Sequence, residues 1–160
     1  MIIAVDTNIL IDILNRDERY LESSRELLNR ALTQGALVIS EVVYAELASL
    51  FKRREKLDEF LSDFGITLKP SNEKVLWEAG KAWKVYTKRR DKQIQCSHCG
   101  TKFILRCKNC SNPITFREHI ISDFLIGAHA RILADSLLTR DRGYYRTYFK
   151  GLSLFSGFKK

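Results

Sequence analysis

The sequence predicts an α/β fold in which a mostly parallel sheet lies between layers of helices. Short apolar segments typical of buried strands alternate along the chain with longer segments whose apolar residues recur at helical spacing. This alternation is the pattern of strand–helix–strand units, which place helices on the faces of a parallel sheet. The chain has 160 residues, with only 2 Pro and 8 Gly, so we expect one globular unit with its own core.

The first 68 residues predict three strands separated by four helices. Three apolar runs bounded by turn-forming residues are the predicted strands: 1–5, 36–39 and 66–68. Four segments repeat apolar residues at helical spacing and are the predicted helices: 9–14, about 19–32, a segment that begins after Ser40, and about 56–63. Ser40 is a favoured N-cap residue, and Gly35 and Gly65 stand where glycine commonly ends a helix.

The second half of the chain predicts two longer helices with an unlike segment between them. Pro70-Ser71-Asn72 opens the first of these helices, which ends in a basic cluster at 88–92. The second begins near Arg117, after a segment that holds all four cysteines. A fourth strand is predicted at 136–139, and 152–154 is a candidate for a fifth.

The charge balance favours a polyanionic partner. Lys and Arg number 27 against 19 Asp and Glu, a formal net charge of +8, which suits nucleic acid or an anionic membrane surface. The N-terminus reaches Asp6 without a basic or long apolar stretch, so no secretory signal is predicted. No segment approaches the roughly 20 apolar residues that span a bilayer. We therefore expect a cytoplasmic protein without a membrane segment.

Four acids from distant parts of the chain form the candidate catalytic set: Asp6, Glu46, Asp123 and Asp141. Asp6 follows the first predicted strand and Asp141 the fourth, and in parallel sheets the functional crevice lies beyond the carboxyl ends of the strands. Converging carboxylates suit a hard cation such as Mg²⁺ or Mn²⁺, which neutralises their charge. Each acid also has an ordinary structural interpretation: Asp6 as a helix N-cap, Glu46 as an acid on a solvated helix face, Asp123 as a first-turn acid favoured by the helix dipole, and Asp141 as a turn former. Asp12 and Asp135 are interpreted as surface acids.

Four sequence motifs resemble those of the PIN-domain nuclease family, in the same order along the chain. The first is Ile3-Ala4-Val5-Asp6-Thr7-Asn8-Ile9-Leu10, and the second is Val43-Tyr44-Ala45-Glu46-Leu47. The third is Ile121-Ser122-Asp123-Phe124-Leu125-Ile126-Gly127-Ala128-His129-Ala130, and the fourth is Leu138-Thr139-Arg140-Asp141-Arg142-Gly143-Tyr144-Tyr145. Together they span the chain except for the cysteine segment. The resemblance is strongest to the VapC-type toxins and related archaeal and bacterial PIN proteins.

The resemblance implies a three-layer α/β/α sandwich and an endonuclease that cleaves single-stranded RNA with Mg²⁺ or Mn²⁺. The implied metal ligands are Asp6, Glu46, Asp123 and Asp141. Asn8 and Thr139 would support these ligands through hydrogen bonds, and a water activated by the metal would attack the phosphodiester. For Tyr144 and Tyr145, which follow the last acid, packing in the core is favoured over stacking on a base.

Two biological settings fit this resemblance. A VapC-type toxin would be a homodimer whose acidic site is blocked by an antitoxin protein, whereas a housekeeping nuclease would process ribosomal or other RNA. A third alternative is a non-catalytic module that binds RNA or protein. Retention of all four acids argues against that module, because a surface for a polyanion gains nothing from converging carboxylates without a metal.

The cysteines form a C-x₂-C-x₇-C-x₂-C pattern: Cys96, Cys99, Cys107 and Cys110. Each pair turns tightly enough for both thiolates to reach one ion, which predicts a tetrahedral structural Zn²⁺ site in a small zinc ribbon. The spacer between the pairs predicts a short hairpin within 101–105. An iron site or redox-active dithiols are the alternatives, and His98 is expected to be exposed and not a ligand.

The ribbon, residues 93–113, is predicted to be an insertion into a discontinuous PIN domain formed by 1–92 and 114–160. A basic stretch overlaps it, in which Asp91 is the sole acid. Its cations are the predicted RNA-binding residues, through phosphate contacts: Lys88, Arg89, Arg90, Lys92, Lys102, Arg106 and Lys108. A solvated basic face without a partner and an interface for a protein are the alternatives.

Overall fold

A four-stranded parallel sheet forms the centre of the fold. The computed structural model describes residues 1–89, 94–95, 101–114 and 120–156, without the side chains of 94, 95 and 102. The strands of the described residues are, in chain order, β1 (Ile2–Val5), β2 (Ala36–Ile39), β3 (Ile66–Leu68), β4 (Ile94–Gln95), β5 (Lys102–Phe103), β6 (Leu105–Arg106), β7 (Pro113–Ile114) and β8 (Ser136–Leu138). The central sheet has the order β3-β2-β1-β8, and all its pairs are parallel.

Helices flank this sheet, which confirms the predicted α/β fold. The described helices are α1 (Thr7–Leu14), α2 (Leu21–Gln34), α3 (Glu41–Ala48), α4 (Arg54–Asp63), α5 (Glu73–Arg89), α6 (Ile121–Leu133) and α7 (Arg142–Tyr148). Ile3, Ala4 and Val5 of β1 are all buried, as expected for a strand covered on both faces. No helix in these described ranges is long and apolar enough to cross a bilayer.

Local sequence explains where several elements begin and end. The Ser40 hydroxyl accepts a hydrogen bond from the backbone N–H of Val43 at 3.3 Å and so caps α3 as predicted. Gly65 follows α4 with a φ of 58°, a left-handed conformation that glycine adopts at little cost. Gly35 is required for a different reason. A Cβ at this position would lie 2.1 Å from the carbonyl oxygen of Met1, which leaves no room for a side chain.

An aromatic cluster packs α5, α6 and α7 together. Phe124 of α6 is fully buried. Its ring centroid lies 5.2 to 6.3 Å from those of five other aromatic residues: Trp83, Tyr86, Tyr144, Tyr148 and Phe149. Such tilted and edge-on contacts add to the free energy gained by burying the rings. Gly127 lets Phe149 approach α6, because a Cβ at Gly127 would lie 2.3 Å from the Phe149 ring.

Two segments near the end of the chain differ from the sequence prediction. Residues 142–148 form α7, which the sequence analysis did not predict. The candidate fifth strand at 152–154 is reduced to one parallel bridge between Leu137 and Leu154. Of the helix predicted from about Arg117, the structure describes α6 from Ile121; Arg117 itself lies outside the described residues.

The cysteine segment contains two small antiparallel pairs of strands. Strand β4 pairs with β5, and β6 pairs with β7. Each pair therefore encloses one C-x₂-C sequence. The prediction of a hairpin within 101–105 is wrong. Strands β5 and β6 would have been its two arms, but β5 pairs with β4 and β6 pairs with β7.

His129 is a core residue in a helix that borders the sheet. Its side chain is 1 % exposed, and its Nε2 donates a hydrogen bond to the carbonyl oxygen of Lys69 at 2.6 Å. Burial lowers the pKa of His129, and the charge of Lys69 also lowers it, against the opposing effects of the hydrogen bond and Glu41. The imidazole is therefore neutral in the folded protein near pH 7.

His129 should make the folded protein less stable in mild acid. The unfolded chain binds a proton on this histidine more readily than the folded one does, so its contribution is intact above the ordinary pKa of 6.5 and is lost as the pH falls below it. We expect the free energy of unfolding, measured with urea, to fall less between pH 7.5 and 5.5 in His129→Gln than in the wild type. Equal falls would contradict a buried neutral imidazole.

Candidate active site

The candidate site lies at the carboxyl ends of β1 and β8, which are neighbours in the sheet. Asp6 directly follows β1, and Thr139 directly follows β8. The backbone N–H of Asp6 donates to the carbonyl oxygen of Leu138 at 3.0 Å, which continues the pairing one step past β1. Parallel pairing therefore brings together residues that are 133 positions apart in the sequence.

The Asp6 side chain is a buried hydrogen-bond acceptor, 6 % exposed. Its Oδ2 accepts from Thr139 Oγ1 at 2.6 Å, Asn8 Nδ2 at 2.8 Å and the Tyr145 hydroxyl at 3.3 Å. Asp6 occupies the N-cap position of α1 but makes no side-chain capping bond. The ordinary interpretation of Asp6 as a helix cap therefore does not account for its side chain.

Burial makes the negative charge of Asp6 costly. It raises the pKa of Asp6 to about 6, while the hydrogen bonds, chiefly from Thr139, oppose the rise. The negative charge of Asp123 also raises the pKa of Asp6, by less than burial does. A cation beside Asp6 would offset both effects.

The other three acids each take part in local structure as well. Asp123 Oδ2 accepts from the backbone N–H of Ile120 at 2.9 Å, at the start of α6. Asp141 caps α7, with its Oδ1 accepting from the backbone N–H of Tyr144 at 3.3 Å. Glu46 accepts a hydrogen bond from the hydroxyl of Thr7, the residue after Asp6. These contacts agree with the ordinary interpretations of Asp123 as a first-turn acid and of Asp141 as a turn former.

Two threonines connect the acids around the end of β1. Thr7 links α1 to Glu46, and Thr139 donates to Asp6 while accepting from the backbone N–H of Asp141 at 3.0 Å. Within the described ranges, no three Asp, Glu, His or Cys side chains meet closely enough to hold one ion in the arrangement seen. The oxygen donors nonetheless fit a hard cation in chemical type, and the buried charge of Asp6 gives such a cation a reason to bind.

Asn8 and Thr139 make the contacts that a supporting role requires. Asn8 Nδ2 reaches Thr139 Oγ1 at 3.2 Å as well as Asp6, and Asn8 Oδ1 accepts from the backbone N–H of Arg140 at 3.3 Å. The two side chains therefore fix the orientation of the Asp6 carboxylate.

The tyrosines after the last acid are packed in the core, as expected. Tyr144 is 6 % exposed and Tyr145 is 2 % exposed, which excludes an open stacking surface for a base. The sequence analysis missed that Tyr145 also contacts Asp6. Burial raises the pKa of Tyr145 well above its ordinary value, so its hydroxyl keeps its proton and acts as a donor.

Asp12 is not a surface acid, and its prediction as one is wrong. Its side chain is 2 % exposed and forms an ion pair with Arg140 at 2.8 Å. Ser24 donates to the same carboxylate at 2.6 Å, and the Arg140 guanidinium lies 4.0 Å from the centroid of the Tyr20 ring. Arg140 separates Thr139 from Asp141, so this network anchors the loop that carries the fourth acid. Asp135, by contrast, is exposed as predicted.

Removal of the Asp12 carboxylate should destabilise the protein. In Asp12→Ala the Arg140 guanidinium and the Ser24 hydroxyl lose a buried hydrogen-bond partner. The Arg140 side chain is 33 % exposed, so water can hydrate part of its charge and reduce the loss of stability. We therefore expect a loss of about 2–3 kcal/mol in the free energy of unfolding, measured with urea. Asp63→Ala, at an exposed position on α4, is the control. A loss for Asp12→Ala no larger than that of the control would contradict the anchoring role.

The second cysteine pair forms a tight turn. The backbone N–H of Ser111 donates to the carbonyl oxygen of Cys107 at 2.9 Å, and Ser111 has a left-handed φ of 57°. Backbone N–H groups of Cys110 and Asn109 donate to the Cys107 thiol and lower its pKa, which favours the thiolate that binds metals. Cys96, Cys99 and His98 lie outside the described residues.

The predicted RNA-binding cations are only partly described. Lys88 and Arg89 are exposed in the last turn of α5, and Lys108 is exposed in the cysteine segment. Arg106 Nη1 donates to the carbonyl oxygen of Ser111 at 3.0 Å, so this guanidinium also supports the cysteine turn. Arg90, Lys92 and the side chain of Lys102 lie outside the described residues.

Comparisons with known proteins agree with the observed fold. The family model for the PIN domain matches residues 3–150 of the chain. Among solved structures, the chain is similar to one described as VapBC2 from Rickettsia felis bound to a DNA fragment from their promoter, with a TM-score of 0.59 and 21 % identity. That match covers 96 % of this chain and 97 % of the other, and at such identity it shows the fold alone. No curated protein matches the sequence.

Proposed function

Because the chain belongs to the PIN-domain family, we propose that it is a metal-dependent endonuclease that hydrolyses single-stranded RNA. The observation that carries the proposal is the buried carboxylate of Asp6 at the end of a central strand. It has three side-chain donors and no capping bond. Burying a charged carboxylate is energetically unfavourable. Such groups are therefore found most often at sites where the charge takes part in binding or catalysis.

The residues that would hold Mg²⁺ or Mn²⁺ are Asp6, Glu46, Asp123 and Asp141. When bound, the ion would supply an activated water and stabilise negative charge on the phosphate. The chain's own contribution is to orient the ligands. Thr139, Asn8 and Tyr145 fix Asp6 through hydrogen bonds, and Thr7 holds Glu46 beside the same strand end.

The experiment is a cleavage assay on a panel of labelled single-stranded and duplex RNAs. We expect the wild-type protein to cut single-stranded RNA internally when Mg²⁺ or Mn²⁺ is added, and to be inactive when the added metal is omitted. Failure to cut any RNA in either metal would reject the nuclease proposal and leave the alternative of a non-catalytic RNA- or protein-binding module.

We propose further that the protein is the toxin of a toxin–antitoxin pair and acts in the cytoplasm. The fold similarity to a chain from a VapBC2 structure supports this setting. On this proposal an antitoxin protein occupies the acidic site, with an Arg or Lys set against its carboxylates, and the toxin is a homodimer. Expression of the chain alone should arrest growth of a bacterial host, and Asp6→Asn should relieve the arrest. Growth that continues undisturbed would favour a housekeeping role in RNA processing.

We also propose that Cys96, Cys99, Cys107 and Cys110 bind one structural Zn²⁺. The tight turn at Cys107 and the separate strand pairs around the two C-x₂-C sequences support it. Cys107→Ser should reduce zinc, measured by elemental analysis, from about one ion per chain to much less. Ser111→Ala, which leaves all four sulfur atoms in place, is the control. Full zinc content in Cys107→Ser, or iron in place of zinc, would contradict the assignment.

A further inference from the structure

The outer face of α5 carries an exposed tryptophan in line with three lysines. Trp77 is 72 % exposed, and Lys81, Lys84 and Lys88 are exposed as well. Because an α-helix turns once every 3.6 residues, positions 77, 81, 84 and 88 lie on one face. The opposite face is the buried one: Val75, Ala79, Ala82 and Tyr86. We call the exposed set, Trp77, Lys81, Lys84 and Lys88, the α5 stripe.

The surroundings of Trp77 leave its ring open. The other tryptophan of the chain, Trp83, packs edge-on against Phe124 at 5.2 Å, so the two indoles of α5 have opposite environments. Gly80 lies one turn beyond Trp77, and a Cβ added there would meet no atom within 4 Å. The ring of Trp77 is therefore largely accessible from solvent, and no side chain at position 80 covers it.

The charges along the stripe favour an anionic ligand. Lys81 pairs with Glu78 at 2.7 Å, but Glu78 is shared with Arg131, also at 2.7 Å. Among the described residues, Lys84 and Lys88 form no ion pair with an acid. An aromatic ring next to lysines that can contact phosphates is the combination that binds single-stranded nucleic acid.

The direction of α5 places the Lys88 end of the stripe level with the start of α6. Glu78 contacts Arg131 of α6, whereas Trp83 and Tyr86 contact Phe124, so the two helices run antiparallel. The Lys88 end of α5 therefore lies beside the start of α6, the part that carries Asp123. At a rise of 1.5 Å per residue, Trp77 lies about 16 Å further along the helix.

We propose that the α5 stripe is a binding site for single-stranded RNA outside the cleavage site. One base stacks on Trp77, and the lysines contact phosphates of the strand as it runs toward Asp123. The proposal rests on the proposed function, because it takes the RNA to be the substrate of the acidic site. It adds a binding surface on a helix that carries none of the four acids.

The test has two readouts: the emission of tryptophan, of which the chain has 2, and the fluorescence anisotropy of an end-labelled RNA, which measures affinity in every variant. A short oligoadenylate is titrated without divalent metal into Asp6→Asn protein, where the RNA stays intact. We expect quenching of Trp77 emission, and about tenfold weaker binding in Trp77→Ala, from the loss of one stacked base. Trp77→Phe should abolish the fluorescence change but bind within about threefold of the parent, because phenylalanine keeps an aromatic face.

A salt series tests the lysines. In Lys84→Ala the slope of log affinity against log salt concentration should fall in magnitude by about 0.7, the loss of one phosphate contact on a single strand. Two matched control variants should change neither the RNA affinity nor this slope. Leu76→Ala removes another exposed apolar residue of α5, and Lys56→Ala removes an exposed lysine of α4 that pairs with Glu59.

Unchanged RNA affinity in Trp77→Ala, with the fold intact by circular dichroism, would overturn the inference. If Trp77→Ala instead altered the mass of the protein in solution, the stripe would be a contact between copies of the chain. The binding assay involves no cleavage, so it is readable even if the nuclease proposal fails. Conversely, a wild-type protein that cuts RNA but binds it independently of Trp77 rejects the stripe alone.

Discussion

Asp6→Asn is expected to lower the rate of RNA cleavage by about a thousandfold or more while leaving the fold intact. Asn has nearly the shape of Asp, and its carbonyl oxygen can still accept from Thr139 and Asn8, which bond to Asp6 Oδ2 in the wild type. The negative charge that would hold the cation is lost. The cost of burying that charge, which raises the pKa of Asp6 to about 6, is lost with it. The variant should therefore be at least as stable as the wild type.

The measurement is the single-turnover cleavage rate of the preferred RNA in saturating Mn²⁺. Asp63→Asn makes the same chemical change at an exposed position on α4 and should cleave at the wild-type rate. A well-folded Asp6→Asn protein that cleaves as fast as Asp63→Asn would remove Asp6 from the catalytic machinery.

Phe124→Ala is expected to have the largest effect on stability. The ring is fully buried at the centre of the cluster that joins α5, α6 and α7. Truncation leaves a cavity, and the aromatic rings that surround it cannot rearrange enough to fill it completely. We expect a loss of about 3–5 kcal/mol in the free energy of unfolding. Because Phe124 follows Asp123 on α6, cleavage should fall as well, through displacement of that acid.

Urea denaturation at pH 7.5 measures this loss. Phe124→Leu, which refills most of the space, should lose much less than Phe124→Ala. Leu50→Ala, at a position that is 47 % exposed, should stay within about 0.5 kcal/mol of the wild type. A Phe124→Ala protein as stable as Leu50→Ala would contradict the packing described.

The central sheet could be predicted because the local sequence of each strand identifies it. The runs at 2–5, 36–39 and 66–68 are apolar throughout or nearly so, and turn-forming residues bound them. The predicted strand ends then placed Asp6 and Asp141 at one edge of the sheet, since the carboxyl ends of parallel strands share that edge. This arrangement brings Asp6 and Thr139 into contact across 133 positions of sequence.

Helix α7 could not be predicted in the same way. Its sequence, Arg142–Tyr148, contains a glycine and no aliphatic residue at helical spacing. It is held instead by the Asp141 cap, by packing of Tyr144 on Phe124 of α6 and by burial of Tyr145. The last two contributions exist only in the folded protein. Helical stability of this kind comes from tertiary packing more than from local propensity.

The predictions for Asp12 and for the hairpin in the cysteine segment were wrong for a related reason. An acid inside a helix has no local feature that reveals burial, and the partner of Asp12, Arg140, is 128 positions away. The spacing of the cysteines predicted two turns, but strand pairing depends on hydrogen bonds between segments. Strands β5 and β6 found partners outside the spacer that joins them.

A titration of the wild-type protein with Mn²⁺, followed by electron paramagnetic resonance, tests the central claim most directly. Mn²⁺ prefers oxygen ligands to the sulfur of cysteine, so the titration reports on the carboxylates. We expect the wild type to bind Mn²⁺ and Asp6→Asn to bind it at least about tenfold more weakly. Asp63→Asn should bind as the wild type does. Equal Mn²⁺ binding in Asp6→Asn and the wild type would contradict a metal site built on this carboxylate.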